Sequence, residues 1–590
     1  MSRLSIETPG RAQTVLSWLS RDMERRISAS SSGLCPVDMS LNFLRLCHAQ
    51  TCGKCVPCRV GLNQLAILIE QVLDRTATLE TIDLIESTAQ VIADSADCAI
   101  GYEAAHMVLR GVRGFREDYE EHVVHGRCIC GLSHPVPCVS VCPAHVDVPG
   151  YVALVREERY DDAVRLIRKD NPFPSACAYV CEHPCEAQCR RRMVDDAVNI
   201  CGLKRFAVDH AAPAAPPERA ADTGKTVAVI GGGPGGMTAA YYLSLMGHQV
   251  TVYEQRPKLG GMLRYGIPDY RLPQEILDRD IDHILSAGVR VHTGVSIGRD
   301  LTMEDIQKSF DAVYIAIGAH NDKKLGLEGE DSQNVISAVE LLRGIGEGQV
   351  FTGKKVCFIG GGNVSMDATR TALRLGADSV TCVYRRRVED MTALSEEIEE
   401  AMAEGCQILP LQAPARIEAD EEGKVAALWT QPQIISRYGR DGRPAPAGAQ
   451  TKEFRIPCDY VVVAIGQAIE AQPFEAVGIA TRRGAIQTDL TSSVPGVDNV
   501  FAGGDAVSGP ATVIRAVAAG KVAAANIDNY LGFDHKIRCD VEIPPAHMTN
   551  TPPCGRVNLK NRHLSCYSGD FSLLKEGMTL EEAQQEASRC

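Results

Sequence analysis

The sequence predicts an α/β chain of two Rossmann-like dinucleotide-binding domains preceded by two α-helical, cysteine-rich domains, and three observations carry that prediction. Residues 225–254 and 355–387 each read as strand, glycine loop, helix, strand. Fifteen of the 23 cysteines fall within residues 1–201. None occurs between Gly202 and Val356, so the thiols belong to the front of the chain and the nucleotide signals to the back.

A length of 590 residues allows roughly four domains of about 150 residues. The net charge of −14 argues against nucleic acid or an anionic membrane surface as a partner. No apolar run reaches the ~18 residues needed to cross a bilayer, and the opening MSRLSIETPG has no apolar signal core, so the expected location is the cytoplasm. In a reducing compartment, crowded cysteines favour metal ligation over disulfides.

Residues 1–45 form a polar, Ser-rich arm with one amphipathic helix expected near 15–27, and Cys35 and Cys47 read as ordinary buried thiols. In the next domain, 46–125, Cys52, Cys55 and Cys58 are spaced C-x2-C-x2-C and Cys98 follows a helical stretch. Three thiolates on a tight loop with a remote fourth suit a 4Fe-4S cluster; zinc is the competing ion. The segments CGKCVPCRVG, CAIG and FREDY resemble the iron–sulfur domain of the NADH-oxidising flavoprotein subunit of respiratory complex I and its hydrogenase relatives. That family's FMN-binding glycine loop is absent here, so FMN is not implied.

Nine cysteines follow in the helical domain 126–212, enough for two further clusters with one thiol left over. CVSVCPAHVDVPGYV and NPFPSACAYVCEHPCEAQC resemble the N-terminal domain of the glutamate synthase small subunit and of dihydropyrimidine dehydrogenase. The resemblance implies one cluster on Cys128, Cys130, Cys138 and Cys189 and another on Cys142, Cys181 and Cys185. It departs from the family pattern in its C-x-C opening and in Lys204, which stands where the family's eighth ligand, often Glu or Gln, falls. A protonated lysine cannot donate to iron, so Cys201, one helical turn upstream, is the expected replacement and Cys177 the spare.

A Pro/Ala linker leads to the first part of the FAD-binding domain, 224–335. Its β-branched run 226–230 ends at Gly231, and Gly233 and Gly236 complete G-x-G-x-x-G before a helix. A second strand delivers Glu254, 18 positions after Gly236, to a ribose diol. LGGMLRYGIPDYRLP, residues 259–273, again resembles the glutamate synthase small subunit, which implies that Gly260 and Gly261 pass the FAD phosphates and that Arg264 lies near the flavin ring. The strand 311–318 then crosses to the NADP(H)-binding domain, 336–465, where Gly360, Gly362, Asn363 and Ser365 open the second loop. No acid ends its second strand. Arg385, Arg386 and Arg387 stand there instead, which favours the 2′-phosphate of NADPH. After an outer excursion, 391–455, with a helix at 395–403, the strand 459–466 returns to the second part of the FAD domain, 466–533. There the two-dinucleotide oxidoreductase resemblance implies that Gly504 and Asp505 bind FAD, and that the helix opening at Thr512 points its positive end at the flavin. The tail, 534–590, holds Cys539, Cys554, Cys566 and Cys590 at wide spacing and reads as irregular, with docking to a partner as the expectation.

No Ser/His/Asp triad, carboxylate pair or Cys-x-x-Cys beside the NADP site is present, so hydrolase and thioredoxin-reductase readings fall away. The expected cofactors, FAD, NADP(H) and three 4Fe-4S clusters, carry the chemistry. The resemblances imply an NADPH–FAD oxidoreductase and electron-transfer subunit of a larger complex. It would link NADP(H) to a partner flavoprotein and ferredoxin, including by flavin bifurcation in a transhydrogenase, hydrogenase or formate dehydrogenase assembly. The alternative is a glutamate synthase small subunit feeding a glutamine-dependent large subunit, whose usual form lacks the Cys52–Cys98 module. A non-catalytic iron–sulfur scaffold is a third reading, opposed by the intact Glu254 and Asp505.

Overall fold

The computed structural model describes residues 15, 35–126, 136–345, 348, 350–438, 444–489, 491–545, 552–562 and 567–590. Cys128, Cys130, Cys566 and all but residue 15 of the helix expected at 15–27 fall outside them. The chain divides into two compact units, Met1–Val141 and Cys142–Cys590.

The first unit is a helical bundle of α1 (Pro36–Ala49), α2 (Leu62–Leu73), α3 (Leu79–Ser95), α4 (Ala99–Gly114) and α5 (Arg116–Val124). On α2, Leu62, Leu65, Ile69 and Val72 recur at helical spacing, so one stripe is apolar. That stripe shares a core with Ile82 and Ile85 of α3 and with Ala105 and Val108 of α4. A capping box at Thr78 and Thr81 starts α3. Cys58 sits on the single π turn Pro57–Gly61 leading into α2, and Cys98 is the N-cap of α4.

The second unit begins with helices α6 (Val148–Arg156), α7 (Tyr160–Arg168), α8 (Pro174–Val180) and α9 (Ile200–His210). Two parallel five-stranded sheets follow. The first uses β1 (Thr226–Ile230), β2 (Gln249–Glu254), β3 (Arg290–Thr293), β4 (Ala312–Ile315) and β14 (Val500–Ala502), in the order β14-β4-β1-β2-β3. The second uses β5 (Val335–Ser337), β6 (Lys355–Ile359), β7 (Ser379–Tyr384), β8 (Gln407–Pro410) and β13 (Tyr460–Val463), in the order β5-β13-β6-β7-β8. Strands buried on both faces read as continuous Val/Ile-rich runs, which is why these were legible. In each sheet the glycine-loop strand lies centrally, and its loop opens a helix at the carboxyl edge: α10 (Pro234–Leu245) after β1, α12 (Asn363–Arg374) after β6. Two short crossing segments pair antiparallel, Asp322 with Gln467, where the chain leaves the first sheet and returns to it.

Helix α11 (Gln274–Ser286) packs on α10, and α13 (Ser395–Ala403) on α12. The excursion expected to be β-rich is an antiparallel sheet of β9 (Gln412–Ala419), β10 (Val425–Tyr438), β11 (Pro444–Gly448) and β12 (Phe454–Pro457). Helix α14 (Val513–Tyr530) lies along α10 and carries the first sheet's last strand into the tail.

The tail is anchored within its own unit. Its described residues lie on the helices of their own unit. Glu586 on α15 (Leu580–Ala587) accepts from Asn199 N and Val557 N, both at 2.7 Å, and pairs with Arg589. Arg205 Nη2 donates to Lys575 O at 2.8 Å. Buried carboxylates and guanidiniums persist only when paired, and these pairs span the length of the unit.

Candidate functional site

A groove runs along the carboxyl edge of the first sheet, where open α/β sheets bind their ligands. Gly231, Gly233, Glu254, Gly261, Gly504 and Asp505 all line it, so the glycine loop, the strand-end acid and the late Gly-Asp pair converge on one site. Gly231 has φ +111°, and a Cβ there would stand 2.4 Å from Ala316 O; Gly360, at φ +149°, faces Ala464 O at 2.3 Å in the same way. Each loop thus presses its first glycine against the strand that crosses between the sheets, and only glycine permits this.

Glu254 is buried, and its carboxylate accepts from Gly232 N at 2.7 Å and from Arg256 N at 2.8 Å. These bonds fix its orientation at the groove wall while leaving lone pairs for a ribose diol. Burial raises the Asp505 carboxyl to about 6, against an Ala511 N–H that favours its charge. Thr512 is the N-cap of α14, its hydroxyl accepting from Arg515 N at 3.4 Å. The Arg264 guanidinium donates to Leu259 O, to Gln274 Oε1 at 2.7 Å and to Asp278, and so braces the Gly260–Gly261 loop. Sequence reasoning missed His320, which also lines the groove. Burial, with Arg256 and Arg343 nearby, lowers it to about 4, so a neutral imidazole faces the site. No residue pattern marks that position.

At the second loop, Gly362 precedes α12 and Ser365 lies buried in its first turn. Of the three arginines, Arg387 pairs with Asp390 at 2.8 Å. Arg385 is exposed beside the half-buried Arg386, where β7 ends. Asn363 is bound on both sides: its Oδ1 accepts from Leu394 N at 3.0 Å and its Nδ2 donates to Glu182 Oε1 at 3.1 Å. Glu182 follows Cys181, so the thiol-bearing loop touches the nucleotide loop directly.

In the first unit Cys52, Cys55, Cys58 and Cys98 come together around Cys58. The Cys55 sulfur receives backbone N–H groups from Asp97 and Cys58, which lower its pKa, whereas burial drives Cys58 up to about 12. A Cβ on Gly101 would stand 2.6 Å from Cys58 Sγ, so α4 approaches the thiols as closely as its backbone allows. Four soft donors with N–H groups aimed at sulfur fit a 4Fe-4S cluster.

In the second unit Cys142, Cys181, Cys185 and Cys201 share one neighbourhood, with Cys177 behind them. Burial raises Cys181 to about 11, and His183 N donates to its sulfur at 3.4 Å. Cys201 Sγ reaches Ala178 O at 3.4 Å, which puts it on the face of α9 that meets α8. Such thiols are protonated without a metal and become thiolates on binding one, so this donor set also fits a cluster. Of the other set, Cys138 belongs to the first unit and Cys189 to the second; Cys128 and Cys130 lie outside the described residues.

Comparison with known proteins agrees. The profile of the pyridine nucleotide-disulphide oxidoreductase family matches residues 225–520. The NADH-ubiquinone oxidoreductase-F iron-sulfur binding region matches 38–122, and the dihydropyrimidine dehydrogenase domain II, 4Fe-4S cluster, matches 114–215. The NADPH-Fe(3+) oxidoreductase subunit beta of Geobacter sulfurreducens is 34% identical over 94% of this chain and 90% of its own length. The NADP(+)-dependent formate dehydrogenase subunit beta of Moorella thermoacetica is 34% identical over 83% of this chain and 79% of its own. The glutamate synthase [NADPH] small chain of Escherichia coli is 31% identical over 69% of this chain and 90% of its own. The chain therefore belongs to the pyridine nucleotide-disulphide oxidoreductase family, as an NAD(P)H-dependent FAD and iron–sulfur oxidoreductase.

Proposed function

We propose that this protein is the NADPH-oxidising electron-transfer subunit of a larger redox complex, with FAD in the first-sheet groove, NADP(H) at the second loop and three 4Fe-4S clusters. When bound, FAD divides the electron pair of an NADPH hydride into single electrons, which the clusters then relay. The chain's part is to hold and orient. Gly231, Gly233 and Gly236 offer backbone N–H groups to a pyrophosphate at the start of α10, Glu254 accepts from the ribose, and Gly260, Gly261, Gly504 and Asp505 close the groove. Gly360, Gly362, Asn363 and Ser365 cradle the second pyrophosphate, and Arg385 and Arg386 take the 2′-phosphate. Cys52, Cys55, Cys58 and Cys98 hold one cluster, Cys142, Cys181, Cys185 and Cys201 a second, and Cys128, Cys130, Cys138 and Cys189 a third.

The observation that carries this reading is the Glu182–Asn363 hydrogen bond. It joins the loop of a proposed cluster ligand to the loop of the second nucleotide helix, which supports a cluster and a nucleotide working side by side in one unit. Two of the relatives compared are beta subunits, which supports a multi-subunit assembly. Ferredoxin and a complex-I-like flavoprotein are the proposed partners, with bifurcation as one mode of the assembly, and the cytoplasm is the proposed location. No helix among the described residues is long and apolar enough to cross a membrane. The glutamate synthase small-subunit reading is second, because the Cys52–Cys98 module has a use in a relay towards such partners and none in that enzyme's usual form. Isolating the protein with its native partners under anaerobic conditions separates the two: a flavoprotein or ferredoxin supports the first, and a glutamine-dependent large subunit contradicts it.

A further inference from the structure

Lys204 presents a problem that the cluster assignment alone does not answer. It lies on α9, three residues after Cys201, and is buried, with 7% of its surface exposed. A buried ammonium is normally matched by a carboxylate, because desolvating a lone charge costs several kcal/mol. Among the described residues no ion pair or hydrogen bond holds it. The groups that face it are the sulfurs of Cys181, Cys201, Cys177 and Cys185. Neutral thiols would leave the charge uncompensated, whereas a thiolate-ligated iron cluster is an anion that matches it.

The nearby carboxylates are committed elsewhere. Glu186 accepts from Cys201 N at 2.9 Å and pairs with Arg556 at 2.7 Å. Asp209 is shared by Arg205 and Tyr179. Asp280 accepts from the backbone N–H groups of Ser175 and Ala176. Among the described residues the thiol nest thus keeps one cation with no acid paired to it, at the place where the resemblance would put a carboxylate or amide ligand.

We infer that Lys204 is a fixed counter-charge for the cluster held by Cys142, Cys181, Cys185 and Cys201, and that it raises that cluster's reduction potential. The inference rests on the proposed cluster assignment. Reduction adds one negative charge to the cluster, and a neighbouring ammonium in a low-dielectric interior favours the more negative state. A carboxylate ligand would act in the opposite sense. The effect is to make this cluster, whose loop is joined to Asn363, a readier acceptor of single electrons.

The test is an anaerobic redox titration of the full-length protein, followed by electron paramagnetic resonance, for wild type, Lys204→Met and Lys204→Arg, with iron counted in each. Methionine approximates the length without the charge, and arginine keeps the charge. The expected result is unchanged iron and a potential for one cluster lower in Lys204→Met by a tenfold or greater change in the reduced-to-oxidised ratio, about 59 mV or more for one electron. Lys204→Arg should stay near wild type. An unchanged potential in iron-replete Lys204→Met overturns the inference. If Lys204→Met loses iron, Lys204→Arg decides: an intact cluster at the wild-type potential supports the counter-charge, and iron loss there as well overturns it. Wild-type protein lacking this cluster's signal altogether would refute the cluster assignment itself, an outcome distinct from a null effect of the charge.

Discussion

Gly236 and Ser365 occupy the same place in the two nucleotide loops and behave differently for a local reason. A Cβ on Gly236 would stand 2.0 Å from Gly231 O, whereas Ser365 fits and donates its hydroxyl to Gly360 O at 3.2 Å. Gly236→Ala is therefore expected to yield protein without bound flavin, read as loss of the visible flavin spectrum. Ser365→Ala should cost only about 1 kcal/mol, one hydrogen bond. Arg385 and Arg386 make a second prediction. Replacing both with Ala should raise KM for NADPH about tenfold or more, the loss of a charge-assisted contact, and leave KM for NADH unchanged. Equal losses with both nucleotides would remove the arginines from the 2′-phosphate.

A third residue-scale prediction concerns acid. His248 is buried, with Nε2 2.9 Å from Asp528 Oδ1, and His535 Nδ1 lies 2.8 Å from the same oxygen. Burial lowers the His248 pKa despite Asp528. Burial would raise Asp528, but the hydrogen bonds from His535 and His248 outweigh it and hold the carboxyl below its usual range. With the folded pKa of His248 below its unfolded value near 6.5, the unfolded chain binds the extra proton first, so stability falls as pH drops below that value. The depressed Asp528 adds stability that is present above the ordinary carboxylate pKa and lost as pH falls through its folded one. Thermal unfolding measured from pH 7.5 to 5.5 should show a steeper loss of Tm for wild type than for His248→Gln. What the sequence disclosed at this scale were residues whose type announces their task, namely the glycines, Glu254 and the cysteines. His320, Glu182 and the bracing role of Arg264 depend on neighbours distant in sequence, and no local pattern marks them.

At the scale of elements, the loop carrying residues 259–273 is locked to the second sheet's helices by charge. Arg271 Nη1 donates to Asp367 Oδ1 and Oδ2 at 2.8 and 2.7 Å, and Nη2 lies 2.7 Å from Glu397 Oε1. Arg374 stacks 3.9 Å from the Tyr270 ring centroid. Removing Arg271 leaves the buried Asp367 without its partner, while Glu397 keeps Arg370 at 3.1 Å, so Arg271→Ala is expected to cost about 3–5 kcal/mol, seen as a lower denaturation midpoint. A loss below 1 kcal/mol would mean that the two elements are held mainly by apolar packing. The parallel strands were legible because both of their faces are buried and the residues are β-branched. The docking of the tail was not, because its anchors, Glu586 to Asn199 and Arg205 to Lys575, join points hundreds of residues apart.

The whole chain carries a succession of sites: thiols on the first helical unit, thiols beside the second nucleotide loop, and a groove at the glycine loop of the first sheet. The class of the fold and the kinds of cofactor could be read from the order of these signals. The contact between Glu182 and Asn363, which joins a thiol-bearing loop to the second nucleotide loop, could not. The central claim is that electrons from NADPH leave through iron–sulfur clusters of this same chain, and one measurement addresses it most directly. The full-length protein, purified without oxygen, is mixed with NADPH while its flavin absorbance and its electron paramagnetic resonance spectrum are followed. The account predicts about twelve irons per chain, bleaching of the flavin, and reduced-cluster signals that appear with it. Flavin bleaching with every cluster left oxidised, or no response to NADPH, would contradict it.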